Sequence, residues 1–321
     1  MNTENLSQNT QHENETSLEM TSPTDLSSNA PARLALPVVN MLPASDGERA
    51  RAILEDRVIL YPALQKVVTE AEWMVHEPRQ TRARGLIVCA ERGNGKTSMA
   101  ALIHRRYKDY ERTGNPCALS VSMSGIRDAR SLYGRIMEAL GSPARISHRL
   151  SDRELLVQRL LRDAGCRLLI LDEVQDILLG SEREQLRALE GIKLLMNELK
   201  VNILAFGTDK ADGGFRTDSH LAARFSAFRM PAWVEDESLA NFLATYERYL
   251  PLRQPSDLAS PDKLKVLASV GGGVLGRIVS RIQNAALAAI ADGSEAITKE
   301  HLVAATTRPA ACFLKPEKKC A

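Results

Sequence analysis

The sequence predicts an α/β fold, a parallel five-stranded sheet flanked by helices, followed by a small all-α domain. Three observations predict it. Five short apolar runs alternate with helical stretches between residues 85 and 231, the first run turns through glycines into a helix, and strand signals stop after Val234. With 321 residues, 44% hydrophobic and 26% charged, the chain can bury one large core and a second, smaller one.

Residues 1–45 are rich in Asn, Ser, Thr, Gln and Glu and carry Pro23, Pro31, Pro37 and Pro43, so a disordered N-terminal tail is expected. The α/β domain is expected over 46–234, the helical domain over 235–308 and a flexible tail over 309–321. Ala52, Ile53, Val58, Ile59, Leu64, Val67, Val68 and Trp73 recur at helical intervals, with Pro62 interrupting and Pro78 ending the pattern, so one or two helices precede the sheet. Strands are expected at 85–90, 117–122, 167–171, 201–206 and 228–231, with helices between them at 97–107, 128–140 and 185–199. The string Ser151-Asp152-Arg153-Glu154 reads as a capping box opening one more helix. In the last domain, helices are expected at 238–250, 261–270, 275–292 and 298–305.

Charge excludes little. Residues 1–32 hold five acids and no Lys or Arg, leaving 42 basic against 35 acidic residues in the remainder, a balance compatible with phosphate-bearing partners without requiring them. The five cysteines lack a CxxC pair, which argues against a disulfide framework or zinc cluster and for reduced thiols. The first thirty residues lack a signal peptide's basic start and apolar core, and no run of eighteen apolar residues occurs, so a cytoplasmic chain without membrane association is expected.

The sharpest chemical signal is Ala90-Glu91-Arg92-Gly93-Asn94-Gly95-Lys96-Thr97, which fits the phosphate-loop pattern G-x-x-x-x-G-K-(S/T) except for alanine in first place. Gly93 and Gly95 allow backbone N–H groups to turn around phosphate oxygens, Lys96 reaches the terminal phosphates, and Thr97 offers a hydroxyl to Mg2+ at a helix N-terminus. Residues 90–98, through Ser98, form the expected ATP-binding stretch. The second signal is Leu168-Leu169-Ile170-Leu171-Asp172-Glu173, an apolar strand ending in two carboxylates at the sheet edge where ligands of α/β folds sit. Asp172 would hold Mg2+ through water, and Glu173 would deprotonate the water that attacks the γ-phosphate.

Asp-Glu at that strand end resembles the AAA+ class of P-loop ATPases rather than nucleotide kinases or small GTPases. In that class Thr208, or Asp209, would be the polar residue facing the γ-phosphate at the end of the 201–206 strand. Arg224, in Ala223-Arg224-Phe225, would be an arginine finger for a neighbouring subunit, or else a surface arginine. Gly276-Arg277, after the glycine run 271–273, resembles the second sensor, with Arg277 reaching the phosphates from the helical lid. Val58, Ile59 and Tyr61 would line an adenine pocket or simply pack a helix.

The series narrows further. Arg57-Val58-Ile59-Leu60-Tyr61-Pro62, the Gly-Asn-Gly-Lys-Thr loop, Leu132-Tyr133-Gly134-Arg135-Ile136, Asp172-Glu173-Val174-Gln175-Asp176 and Gly276-Arg277, in that order, resemble the TniB and TnsC transposition-helper ATPases over residues 46–308. The resemblance implies an AAA+ P-loop core with a lid, use of ATP and Mg2+, and assembly as a homo-oligomeric ring or filament on double-stranded DNA without strong sequence preference. It also implies a transposase and a target-selection protein as partners, with ATP hydrolysis resetting the complex. Arg127 and Arg130 are candidates for DNA contact by location alone, and a solvated face is the competing reading. An AAA+ ATPase of another role, loader-type or secretion-linked, and a nucleotide-gated scaffold with little turnover are the alternatives.

Overall fold

The computed structural model describes residues 33–108, 117–142 and 149–309. Its centre is an all-parallel five-stranded sheet in the order β2-β3-β4-β1-β5, formed by β1 (Gly85–Cys89), β2 (Cys117–Ser122), β3 (Cys166–Asp172), β4 (Asn202–Gly207) and β5 (Phe225–Arg229). Each central strand is apolar on both faces because helices cover both. On one face Leu86, Val88, Leu168, Ile170, Leu204 and Phe206 pack against α3 (Pro62–His76) and α4 (Lys96–Tyr107). On the other, Ile87, Leu169, Leu171 and Ile203 meet α5 (Ala129–Ala139), α6 (Leu150–Asp163) and α7 (Glu182–Leu199). The strand order makes β1 leave the sheet beside β4, so the loop after β1 opens into the crevice at the carboxyl ends of the strands.

Several expectations shift. The fifth strand starts three residues earlier than its pattern suggested, since Phe225 pairs with Gly85 and stands where a side chain at that glycine would clash. Pro62 opens α3 at its first turn, where its missing N–H costs nothing, rather than interrupting a helix. Asp128 caps α5 through Ser131 N–H, but α6 begins at Leu150, with Asp152 accepting from Arg149 N–H, so Ser151 is not its cap. Two short helices within the sheet domain escaped the sequence pattern, α8 (Asp209–Phe215) and α9 (Ser219–Ala222), together with a 3-10 turn at Val174–Leu179.

The largest correction concerns the N-terminal region. Residues 33–45, expected to be disordered, include α1 (Leu36–Val39) and are packed: Leu34 and Val38 are buried, and Ala35 N–H donates to Arg248 O at 2.8 Å. The apolar pair was enough because a partner surface existed. Residues 1–32 and 310–321 lie outside the described residues. The next helix, α2 (Asp46–Leu54), joins the lid rather than the sheet. Its Ala50 and Ile53, with Ile59 beyond it, share a core with α10 (Glu237–Glu247), α11 (Pro261–Gly271), α12 (Leu275–Ala291) and α13 (Lys299–Ala304). Arg49, fully buried, fastens it: its guanidinium donates to both carboxylate oxygens of Glu295 at 2.7 Å and to Pro251 O at 3.0 Å. The lid is therefore a helical layer that includes the chain entering the sheet domain. Among the described residues no helix is long and apolar enough to cross a membrane.

Candidate active site

The turn after β1 places Gly93 and Gly95 at φ of 86° and 73°, the left-handed region that glycine enters without a Cβ penalty. Gly95 serves as the N-cap of α4, and no side chain caps that helix. The first N–H groups of α4 thus present unpaired donors and the positive end of the helix dipole to the crevice. Lys96 is buried and folds its ammonium onto the loop, donating to Ala90 O at 3.0 Å and Glu91 O at 3.1 Å. A third N–H of that ammonium remains for an anion. Glu91, Arg92, Thr97 and Ser98 are exposed along the same turn.

Thr97, one residue into the helix, donates its hydroxyl to Asp172 Oδ2 at 2.7 Å. This joins the loop to the carboxyl end of β3 and converges two hard oxygen donors of the kind Mg2+ accepts alongside substrate phosphates. Burial pushes the Asp172 carboxyl up, opposed by the hydrogen bonds from Thr97 and from Glu173 N–H. A cation there would offset that burial, so the donor set fits Mg2+. Among the described residues no group of three or more His, Cys, Asp or Glu forms a protein-only metal cage.

Glu173 sits at φ 57°, a left-handed backbone costing about 1 kcal/mol for a residue with a side chain. Its N–H donates to Asp172 Oδ1 at 2.9 Å, and its carbonyl accepts from Asp176 N–H at 3.0 Å, so the twist is held from both sides. The Glu173 carboxylate accepts a hydrogen bond from the side-chain amide of Gln175, a residue that sequence reasoning passed over. The sequence showed it only as one more polar residue in Asp172-Glu173-Val174-Gln175-Asp176, because its burial is set by the end of β4. At the end of β4, Thr208 Oγ1 is buried and without a hydrogen-bond partner, while Asp209 is engaged by Arg229 at 3.1 Å.

The lid closes directly on the phosphate loop. Gly276 N–H donates to Gly93 O at 2.9 Å, and Leu275 N–H donates to Asn94 Oδ1 at 2.7 Å. Asn94, expected only among the nucleotide contacts, thus latches lid to loop. Beside this contact lies a cavity of about 210 Å³ lined by Val58, Ile59 and Tyr61, by Ser98 and Met99 of α4, and by Phe242, Tyr246 and Leu275 of the lid. The three residues ahead of the sheet therefore line a cavity, with Tyr61 also packed edge-on against Trp233 at 4.9 Å. Phe242 and Tyr246, one helical turn apart, were missed; their i, i+4 spacing on an otherwise ordinary lid helix carried the signal.

The remaining arginines fall elsewhere. Arg224 O accepts from Gly85 N–H at 2.9 Å, which puts Arg224 at the start of β1, about 13 Å of strand from the loop that leaves its far end. It does not reach the phosphate loop of its own chain, and its Nη1 is buried without a partner. Arg277 is exposed in a second cleft with Arg92, Gly93 and Arg281. Arg127 and Arg130 are exposed, flanking the N-cap of α5.

No curated protein sequence matches the chain. Among solved structures it is similar to the Aeropyrum pernix ORC1 protein in complex with DNA, at TM-score 0.61 and 16% identity over 80% of this chain and 68% of that one. It is similar to the Aeropyrum pernix ORC2 protein in ADPNP–ADP complexes, at TM-score 0.58 and 16% identity over 79% and 70%. Drosophila ORC bound to DNA matches at TM-score 0.55 and 15% identity over 92% and 71%. These likenesses show a shared fold, a parallel α/β core followed by a helical domain. The family described as bacterial TniB protein matches residues 49–235, more than half of the sequence and all five strands, so the chain belongs to the TniB family.

Proposed function

We propose that this protein is an ATP-dependent, DNA-binding regulator of transposition that works in the cytoplasm. ATP-bound subunits assemble on double-stranded DNA with little sequence preference and engage a transposase and a target-selection protein, and hydrolysis resets the assembly. The observation that carries the ATP half is the convergence, in a TniB-family chain, of an uncapped helix N-terminus, Lys96, the Thr97–Asp172 pair and Glu173 beneath a lid that touches the loop. The DNA and partner half rests on the family, and it is supported by the fold that this chain shares with ORC1 in complex with DNA.

In this reading the loop N–H groups and Lys96 bind the β- and γ-phosphates, while Thr97 and Asp172 hold Mg2+. Bound between them, the ion would supply positive charge that offsets the negative charge building on the phosphates during transfer. Glu173 takes a proton from water as the water oxygen bonds to the γ-phosphorus. The bond from that phosphorus to the β–γ bridging oxygen breaks, leaving ADP and phosphate. The unpartnered Thr208 hydroxyl faces the transferred group, and Arg277 follows it from the lid. Arg224 completes a neighbouring subunit's site, since it cannot reach its own loop. Exposed Arg127 and Arg130 contact the DNA backbone, which makes binding salt-sensitive.

The test is ATP turnover with and without double-stranded DNA at low salt, beside Lys96→Ala and Glu173→Gln. Turnover raised by DNA, lost in Lys96→Ala and cut to a small residual rate in Glu173→Gln supports the reading. Turnover indifferent to DNA removes the transposition-helper assignment, and a Glu173→Gln variant equal to wild type removes the catalytic role of Glu173.

A further inference from the structure

Gln175 is buried, and both ends of its side-chain amide are engaged. Its Oε1 accepts from Thr208 N–H at 3.2 Å, and its Nε2 donates to Glu173 Oε2. The backbone donor fixes which way the amide faces. Reversing it would set the NH2 group against Thr208 N–H, donor against donor, so the NH2 must point at Glu173. The space is tight as well. A Cβ added at Gly207 would lie 3.0 Å from Gln175 Oε1 and 2.8 Å from Ala211 Cβ, so the glycine at the end of β4 makes room for the amide. The peptide that carries Gln175 begins the 3-10 turn directly after the left-handed Glu173, which is how a side chain two residues later folds back over it.

We propose that Gln175 is a positioning residue that aims the Glu173 carboxylate and ties it to the strand end carrying Thr208. This rests on the hydrolytic reading of Glu173. A glutamate has rotatable bonds that let a lone carboxylate wander, and a misplacement of about 1 Å at a reacting group costs up to about 100-fold in rate. With Oε2 held by the amide, Oε1 is the oxygen left to receive the proton from water. The hold has a second effect. Gln175 spans the ends of β3 and β4, so any movement of Thr208 toward a γ-phosphate draws on the same amide that orients Glu173. The carboxylate is thereby set according to what Thr208 meets, without Gln175 touching substrate.

The test measures single-turnover hydrolysis of labelled ATP, nucleotide affinity by titration of a fluorescent ATP analogue, and thermal melting, for the full chain. Gln175→Ala should lower the hydrolysis rate by about 10- to 100-fold. Affinity should stay as in wild type, and the melting temperature should fall only by the few degrees that two lost hydrogen bonds explain. Gln175→Glu keeps the shape but sets a carboxylate in place of a donor beside Glu173, and it should lose at least as much. In the Glu173→Gln background, adding Gln175→Ala should slow residual hydrolysis no further, because the residue acts through Glu173. The proposal is overturned by an unchanged rate in Gln175→Ala, by an equal penalty in both backgrounds, by affinity falling in step with rate, or by failure of both Gln175 variants to fold. Absence of turnover in the wild-type protein, with and without DNA, is a different failure: it overturns the reading of Glu173 itself, and this proposal with it.

Discussion

Gly276→Ala separates the lid from the phosphate loop. The new methyl carbon would stand 2.7 Å from Gly93 O, closer than any carbon–oxygen contact tolerates, and Gly93 O is also the acceptor for Gly276 N–H at 2.9 Å. Relieving the clash therefore stretches that hydrogen bond and drags the neighbouring bond from Leu275 N–H to Asn94 Oδ1. Two hydrogen bonds at about 1 kcal/mol each put the loss near 2 kcal/mol in favour of the open lid. At about 1.4 kcal/mol per factor of ten, nucleotide affinity should fall about 30-fold if closure of this contact forms the cavity wall. The assay is titration of a fluorescent ATP analogue, with Gly213→Ala as control, since a Cβ at Gly213 meets nothing within 4 Å. Unchanged affinity in Gly276→Ala would refute the claim that lid and loop close together on the nucleotide.

Three further outcomes are expected. Lys96→Ala should lose nucleotide binding while melting near the wild-type temperature in the absence of ligand, because the ammonium's present partners are two loop carbonyls. Arg224→Ala should reduce turnover about 1000-fold or more, and mixing it with Lys96→Ala should restore part of the activity, since the second variant brings an intact Arg224 to the first variant's nucleotide. Arg49→Ala should cost about 3–5 kcal/mol of stability by leaving the Glu295 carboxylate without its buried partner. The Arg49 guanidinium, then hydrogen bonding from Arg253, holds Glu295 below the usual carboxylate range. A depressed folded-state value means that this stabilisation is complete above about pH 4.3, the unfolded glutamate value, and is lost as pH falls through the lower, folded one. Melting temperature followed downward from pH 6 should therefore drop more in wild type than in Glu295→Gln.

Much of the sheet domain was legible because its signals are local. A strand buried on both faces is a continuous apolar run, as in Leu168-Leu169-Ile170-Leu171, and the loop chemistry follows contiguously from Gly93 to Thr97. What escaped depends on contacts distant in sequence. Residues 33–45 read as disordered because Leu34 and Val38 are sparse in a polar stretch; only the surface near Arg248 and Leu250, some two hundred residues later, gives them a place to bury. Likewise α2 carries the apolar spacing of any surface helix, and its membership in the lid is decided by Glu295 reaching Arg49. Gln175 looked like one more polar residue after the carboxylates, since its significance lies in where the end of β4 meets it. Arg224 could be named from its Arg-Phe context, but its distance from its own loop emerges only from the pairing of β1 with β5.

The most direct test of the account is sedimentation of the protein with a labelled double-stranded DNA of arbitrary sequence, in Mg2+ with ATP, with ADP and without nucleotide. The account predicts a large protein–DNA complex with ATP alone, weakened by salt and absent for Lys96→Ala. Complex formation that ignores nucleotide, or that survives in Lys96→Ala, would contradict it.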